Sequence, residues 1–193
     1  MAVNPSTSRL VALTCNAAVR SQAIHGVEAS ISLRADSTLA ISYRLIADIN
    51  RLCIPLAAVT RRVDGLWQHT CFEAFIQTNA SPDYYEFNFS PSGEWAAYSF
   101  RGYRDGRPFY DDGLSPEIVV RCDADKIELD AVVRLDRLPA LRRGSLLRLG
   151  LSAVIESSDG ALSYWALKHP ADKPDFHHPD SLALELALPE RSA

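Results

Sequence analysis

The chain has 193 residues and a formal net charge of -4. That length suits one generous domain or at most two small ones. With 47% hydrophobic and 23% charged residues, default disorder is excluded, and the acidic balance gives no reason to expect nucleic acid or an anionic membrane as partner.

The first fifteen residues hold Pro5 and Arg9 before any apolar run. They lack the basic start and apolar stretch of a signal peptide. No window approaches ~18 consecutive apolar residues, so no membrane span is predicted. Cys15, Cys53, Cys71 and Cys122 show no CxxC spacing and stand singly in apolar surroundings. They read as buried thiols in a reducing compartment, which together with the missing leader points to the cytoplasm.

In chain order, residues 1–8 read as a loose tail. Arg9–Thr14 is a short strand. Ile24–Arg34 alternates, with Val27, Ala29, Ile31 and Leu33 on one face, and this is the mark of a half-buried strand. Asp36–Ser37 makes a turn, and Leu39, Ile41, Tyr43 and Leu45 alternate again, predicting a hairpin. Residues 46–63 lose the period of two, and Pro55 blocks a helix or central strand. A long connection with a short helical turn is expected there. Asp64–Gly65 is a turn signal.

Residues 64–100 carry two of the three tryptophans and most of the phenylalanines, so they dominate any core. Strands are predicted at Gln68–Thr78, Tyr84–Ser90 and Glu94–Tyr103. Residues 104–116 form a Gly/Pro/Asp-rich loop. Glu117–Cys122 and Lys126–Leu135 make another hairpin, and Arg137–Arg143 a helical turn. Leu146–Glu156, Ala161–Leu167 and Ser181–Leu188 complete the strands, with a His- and Pro-rich loop at 169–180 and a loose tail at 189–193. About ten or eleven strands with turn signals every eight to twelve residues predict an all-β antiparallel sandwich spanning 1–193 as a single domain.

Strand alternation assigns Phe72, Ala74, Ile76, Tyr85, Phe87, Phe89, Tyr98 and Phe100 to the core. It assigns His69, Glu73, Glu86, Asn88, Trp95 and Arg101 to the opposite face. Two carboxylates, an amide, an indole and a guanidinium on one sheet face form a candidate ligand surface. Polar outer faces and Glu/Arg cross-strand pairs are equally ordinary sheet chemistry.

His169, Asp175, His177 and His178 have metal-ligand chemistry suited to zinc. No finger or HExxH spacing supports it, and the same loop reads as a proline-braced turn whose histidines bond backbone. Asp64, Asp111, Asp112 or Asp123 could supply oxygen ligands to Ca²⁺. Arg101, Tyr103, Arg104 and Arg107 interleave rings with cations and suit an anionic small molecule. No GxSxG, P-loop or GxGxxG is present. Glu73 and Glu86, if about 5 Å apart on adjacent strands, could serve as the acid and base of a glycosidase.

The stretches LWQHTCFEAFI, YYEFNFSPSGEWAAYSF and YWALKHPADKPDFHHPD resemble the bacterial DOMON-like proteins, a group similar to the family nine carbohydrate-binding modules. The resemblance covers roughly residues 10–188. It implies a jelly-roll β-sandwich. It also implies a sugar clamped between exposed tryptophans, for which Trp67, Trp95 and Trp165 are the candidates. Haem-binding relatives use axial Met and His. The single methionine here is Met1, which argues against haem.

The expected function is a non-catalytic module binding a carbohydrate or similar polar small molecule, with Trp67 and the His177 loop at the rim. A glycan-processing enzyme using Glu73 and Glu86, and a scaffold without a small ligand, are the alternatives. No bound cofactor is expected beyond the calcium or zinc just considered.

Overall fold

The structure is a computed structural model that describes residues 8–17, 21–141, 146–170 and 173–188. Nearly all of both expected tails falls outside these residues, as do Arg142 and Arg143 of the expected helical turn. Twelve strands are described: β1 (Arg9–Cys15), β2 (Ile24–Leu33), β3 (Thr38–Ala47), β4 (Cys71–Thr78), β5 (Tyr84–Phe89), β6 (Trp95–Phe100), β7 (Gly106–Pro108), β8 (Glu117–Cys122), β9 (Lys126–Arg134), β10 (Leu146–Glu156), β11 (Leu162–Ala166) and β12 (Leu184–Ala187). All pairings between these strands are antiparallel. The chain is the predicted all-β sandwich.

One layer runs β1-β2-β3-β9-β8 and the other β7-β6-β5-β4-β10-β11, with β12 also on β10. Strand β1 joins them. Arg9–Leu13 pair with β2, whereas Thr14 and Cys15 pair with β11. The strand therefore turns a corner from one layer to the other.

The first layer follows its alternating sequence. Val27, Ala29 and Ile31 of β2, Leu39, Ile41, Tyr43 and Leu45 of β3, and Ile127, Leu129, Ala131 and Val133 of β9 are buried. They meet Phe72, Ala74, Ile76, Tyr85, Phe87 and Phe89 of the second layer. Tyr43 spans the core: its ring stacks on Phe72 with centroids 5.0 Å apart, and its hydroxyl donates to the Glu73 carbonyl at 2.6 Å. Strands β4, β5 and β10 behave differently, because they are buried on both faces. Something must cover their outer side.

That cover comes from the chain between β11 and β12. Both strands pair with the same side of β10, β11 along Ser152–Glu156 and β12 along Leu146–Leu149. The connection crosses the outer face. Its Phe176 joins Phe75, Tyr84, Phe100 and Leu182 in a second apolar cluster. Gly150 lets it lie close, since a Cβ there would sit 3.2 Å from the Ser181 carbonyl oxygen.

Three expectations need correction. The strand expected over Glu94–Tyr103 ends at Phe100, and a turn at 101–104 folds back into β7, which pairs with β6. A 3-10 turn at Leu135–Arg137 stands where a helical turn was expected slightly later. Cys53 and Cys122 are exposed, with Cys71 buried and Cys15 half-buried. Cys122 ends β8, an edge strand with no strand on one side among the described residues. Among the described residues no helix is long and apolar enough to cross a membrane.

The Tyr43–Phe72 contact bridges the layers, so Phe72→Ala should destabilise by roughly 3–5 kcal/mol. Tyr43→Phe should cost about 1 kcal/mol, the value of one buried hydrogen bond. Urea denaturation reads both; equal losses for the two variants would contradict this assignment.

Candidate functional site

The covered face can be read row by row from the strand register. Tyr98 pairs with Glu86, Glu86 with Phe75, and Phe75 with Gly150. The next row is Ala96, Asn88, Glu73, Ser152 and Ala166, and beyond it lie Cys71, Val154 and Tyr164. Glu73 and Glu86 are thus diagonal neighbours, about 7 Å apart at the backbone rather than directly opposite.

The register corrects the expected face assignment of β6. Trp95 pairs with Phe89 and lies in the main core, 7% exposed. Tyr98 and Phe100 turn to the Glu86 side. The cause is the turn after β5, where the Ser90 amide donates to the Glu94 carbonyl and the Gly93 amide to the Ser90 carbonyl. A loop of this length pairs even-numbered with even-numbered residues, and a slip of one would swap every side chain. Trp165 is likewise in the core, and its indole Nε1–H donates to Ser163 Oγ at 3.2 Å. Of the three tryptophans only Trp67 is open, at 50% exposure.

A pocket of about 520 Å³ opens between this face and its cover. Glu73, Glu86, Tyr98, Phe100, Val154, Leu162 and Tyr164 line it from the sheet. Pro174, Phe176 and His177 close it from the β11–β12 connection, and Trp67, Gln68 and Arg104 from two other turns. Trp67 is placed by the Asp64–Gly65 turn. Gly65 has φ +81°, a left-handed conformation that disfavours other residues, and it leads into a 3-10 turn at Leu66–Gln68. The Tyr98 hydroxyl pins this turn, donating to Asp64 Oδ1 at 2.8 Å.

The cover is latched. Tyr103 Oη donates to Asp175 Oδ2 at 2.6 Å, and Arg104 Nη2 donates to Asp175 Oδ1 at 2.9 Å. The His177 ring meets Phe75 and Phe100 edge-on, with centroids 5.1 and 5.0 Å apart. The Arg104 amide donates to the Tyr84 hydroxyl at 3.2 Å, and that hydroxyl lies 2.9 Å from His177 Nδ1. Burial first, then the Arg104 charge, push His177 down to about 4. The ring is therefore neutral near pH 7. Nδ1 shares a hydrogen bond with the Tyr84 hydroxyl, and Nε2 lies 3.7 Å from Glu86 Oε2.

The two carboxylates are held largely in apolar surroundings. Glu73 is 3% exposed and receives a hydrogen bond from Ser152 Oγ at 3.4 Å. Burial, and then the neighbouring Glu86 charge, raise it well above the usual carboxylate range. Glu86 is 6% exposed and accepts from Asn88 Nδ2 at 2.9 Å. Burial raises it to about 7.

The remaining predicted site residues go elsewhere. His69 is exposed, 2.8 Å from Glu156. Arg101 is exposed in the turn after β6 and borders a separate groove. Asn88 is wholly buried behind Glu86. His169 donates through Nε2 to the Thr14 carbonyl at 2.8 Å, and His178 Nδ1 accepts from the Asp180 amide at 3.2 Å. The four residues proposed for zinc are thus spread over separate tasks. Among the described residues, no group of three or more His, Cys, Asp and Glu gathers to hold a metal ion. For Ca²⁺, Asp64, Asp111 and Asp123 are paired with Arg62, Arg137 and Lys126. Tyr98, Phe100, Tyr164 and Phe176 were missed as pocket walls. Arg104 was noticed, but as part of an anion site; it latches Asp175.

No family model and no curated protein matches the sequence. Solved structures do resemble the fold. A Bacteroides uniformis protein provisionally assigned as carbohydrate-binding aligns with TM-score 0.67 at 13% identity, over 93% of this chain and 86% of that one. A family 9 carbohydrate-binding module from Caldicellulosiruptor kristjanssonii in complex with glucose aligns with TM-score 0.52 at 13% identity, over 93% and 86%. The cellotriose complex of a family 9 module from the same organism gives 0.53 and 14%, over 93% and 84%. The chain shares the β-sandwich fold of these carbohydrate-binding proteins.

Glu86 yields a pH prediction. A carboxyl raised from 4.5 to about 7 on folding makes the folded state bind more protons between those values, so this group's stabilisation is present below pH 4.5 and lost by pH 7. His177, lowered to about 4, acts oppositely, losing stability as pH falls from 6.5 through 4. The Glu86→Gln variant removes the first effect together with the Glu86 charge that helps raise Glu73, and both changes act in the same direction. Its stability relative to wild type should rise by roughly 2–3 kcal/mol between pH 4.5 and 8, read by urea melts. A pH-independent difference would contradict the assignment.

Proposed function

We propose that the chain is a non-catalytic binding module that takes a carbohydrate or similar polar small molecule in the pocket between the Glu73–Glu86 face and the Pro174–His177 cover. One observation carries this reading. The pocket joins aromatic walls to buried, under-bonded carboxylates beneath the half-exposed Trp67. A pyranose offers an apolar ring face and a rim of hydroxyl donors, and such a site answers both. The volume falls within the range of about 300–1,000 Å³ usual for small-molecule sites. The glucose and cellotriose held by the family 9 modules make sugars the first ligands to try. Trp95 has no part in this reading, because its ring is in the core. Trp67 and Phe176 are the platforms that replace it.

A second reading keeps Glu73 and Glu86 as acid and base of a glycan-processing enzyme. It is favoured by the raised pair in a pocket, a pattern that active sites share. Turnover of oligosaccharides that disappears in Glu73→Gln would select it over simple binding.

Titration calorimetry against a sugar panel tests the first reading. Trp67→Ala should weaken the bound sugar by about tenfold, the worth of a partly buried ring, while leaving the melting temperature nearly unchanged because Trp67 is half exposed. Unaltered affinity in that variant would remove the pocket from consideration.

A further inference from the structure

The base of the pocket is rich in acceptors and poor in donors. Among the described residues, the Glu73 carboxylate receives one hydrogen bond, a long one from Ser152. Asn88 donates one of its two amide protons to Glu86, and its own Oδ1 is buried without a partner. Asn88 stands directly opposite Glu73 in the β4–β5 register. No described lysine or arginine forms an ion pair with either glutamate. Arg104, the cation lining the pocket, is held by Asp175 at 2.9 Å. Trp67, Tyr98, Phe100, Tyr164 and Phe176 supply the walls.

A sugar hydroxyl brings one donor and also an acceptor that itself needs a partner. A protonated amine brings three donors, no acceptor and a positive charge. That charge offsets the cost of ionising carboxylates out of water, and aromatic faces attract it further. We propose that the pocket selects ligands carrying a protonated primary amine, an amino sugar above all, with the ammonium group seated between Glu73 and Glu86. The choice of a sugar skeleton rests on the binding function proposed above; the amine preference rests on the acceptor surplus alone.

Proton release follows from the same arrangement. Burial holds both glutamates above the ordinary carboxylate range, so an arriving cation, which favours their ionised forms, draws protons off them. The other groups facing them stay fixed. Arg104 and Asp175 remain an ion pair, His177 remains neutral, and Tyr84, Tyr98 and Cys71 are all raised by burial and uncharged.

Titration calorimetry of the whole protein at neutral pH decides the matter, using glucosamine, glucose, N-acetylglucosamine and cyclohexylammonium as probes. Glucosamine should bind more tightly than glucose and N-acetylglucosamine by about tenfold or more, the worth of a charged hydrogen-bond set. Its heat should differ between phosphate and MOPS buffers, neither of which carries a primary amine, because protons are released. Glu73→Gln and Glu86→Gln should each erase the difference between glucosamine and glucose. The wild-type buffer comparison does not depend on how these variants fold. Glucose or N-acetylglucosamine binding as tightly as glucosamine overturns the amine preference while leaving the sugar site standing, and a heat independent of buffer overturns the proton release that accompanies it. Binding of cyclohexylammonium with no response to the three sugars upholds the amine site and removes the sugar reading. Silence from all four probes overturns both.

Discussion

Burial of Glu73 and Glu86 under the β11–β12 connection is the constraint on which the rest of the second layer depends. A sandwich sheet normally turns its outer face to water, and carboxylates there are cheap. Here β4, β5 and β10 are buried on both faces, so the same carboxylates sit in apolar surroundings. Taking one ionised carboxylate out of water costs several kcal/mol unless it is paired. The chain's answer is partial. Glu86 has Asn88 and a neutral His177 nearby, Glu73 has Ser152, and both hold protons more firmly than exposed glutamates do.

The cover that creates this environment is held by polar contacts as well as by its apolar cluster. Tyr103 and Arg104 grip Asp175, and Tyr84 bonds His177. The Phe75, Tyr84 and Phe100 rings pack beneath, with Tyr84 and Phe100 stacked at 4.5 Å. Apolar residues of similar volume in place of Glu73 and Glu86 would close the same layer at less cost. Strained or under-satisfied groups of this kind concentrate where a protein trades stability for a ligand. That trade joins the fold to the function proposed for it.

Much of the architecture was legible in the residues. Alternation in β2, β3 and β9 assigned their core faces, since a strand points successive side chains to opposite sides. Alternation in β4 and β5 separated a core face from a face carrying Glu73, Glu86 and Asn88, but it did not show that the second face is buried too. The parity of β6 was not legible. It depends on whether the Ser90–Glu94 turn adds an odd or even number of residues, which alternation within the strand cannot reveal. That single ambiguity exchanged Trp95 for Tyr98 and Phe100 in the site. The role of the His-rich loop was hidden for a related reason. His177 approaches Glu86 from a segment 91 positions away in sequence, and no local pattern distinguishes a histidine that covers a pocket from one that binds a metal. Arg104 and Asp175 are similarly distant, so their pairing had no sequence signal.

The central claim is that ligand enters between the Glu73–Glu86 face and its cover, against Trp67. The three tryptophans report on it separately, because Trp67 lines the pocket while Trp95 and Trp165 sit in the core. Following the three indole N–H resonances by NMR during a titration with glucosamine is the most direct measurement. The account predicts a saturable shift of the Trp67 indole alone. Movement of the Trp95 or Trp165 indole with Trp67 silent, or binding with all three unmoved, would contradict it.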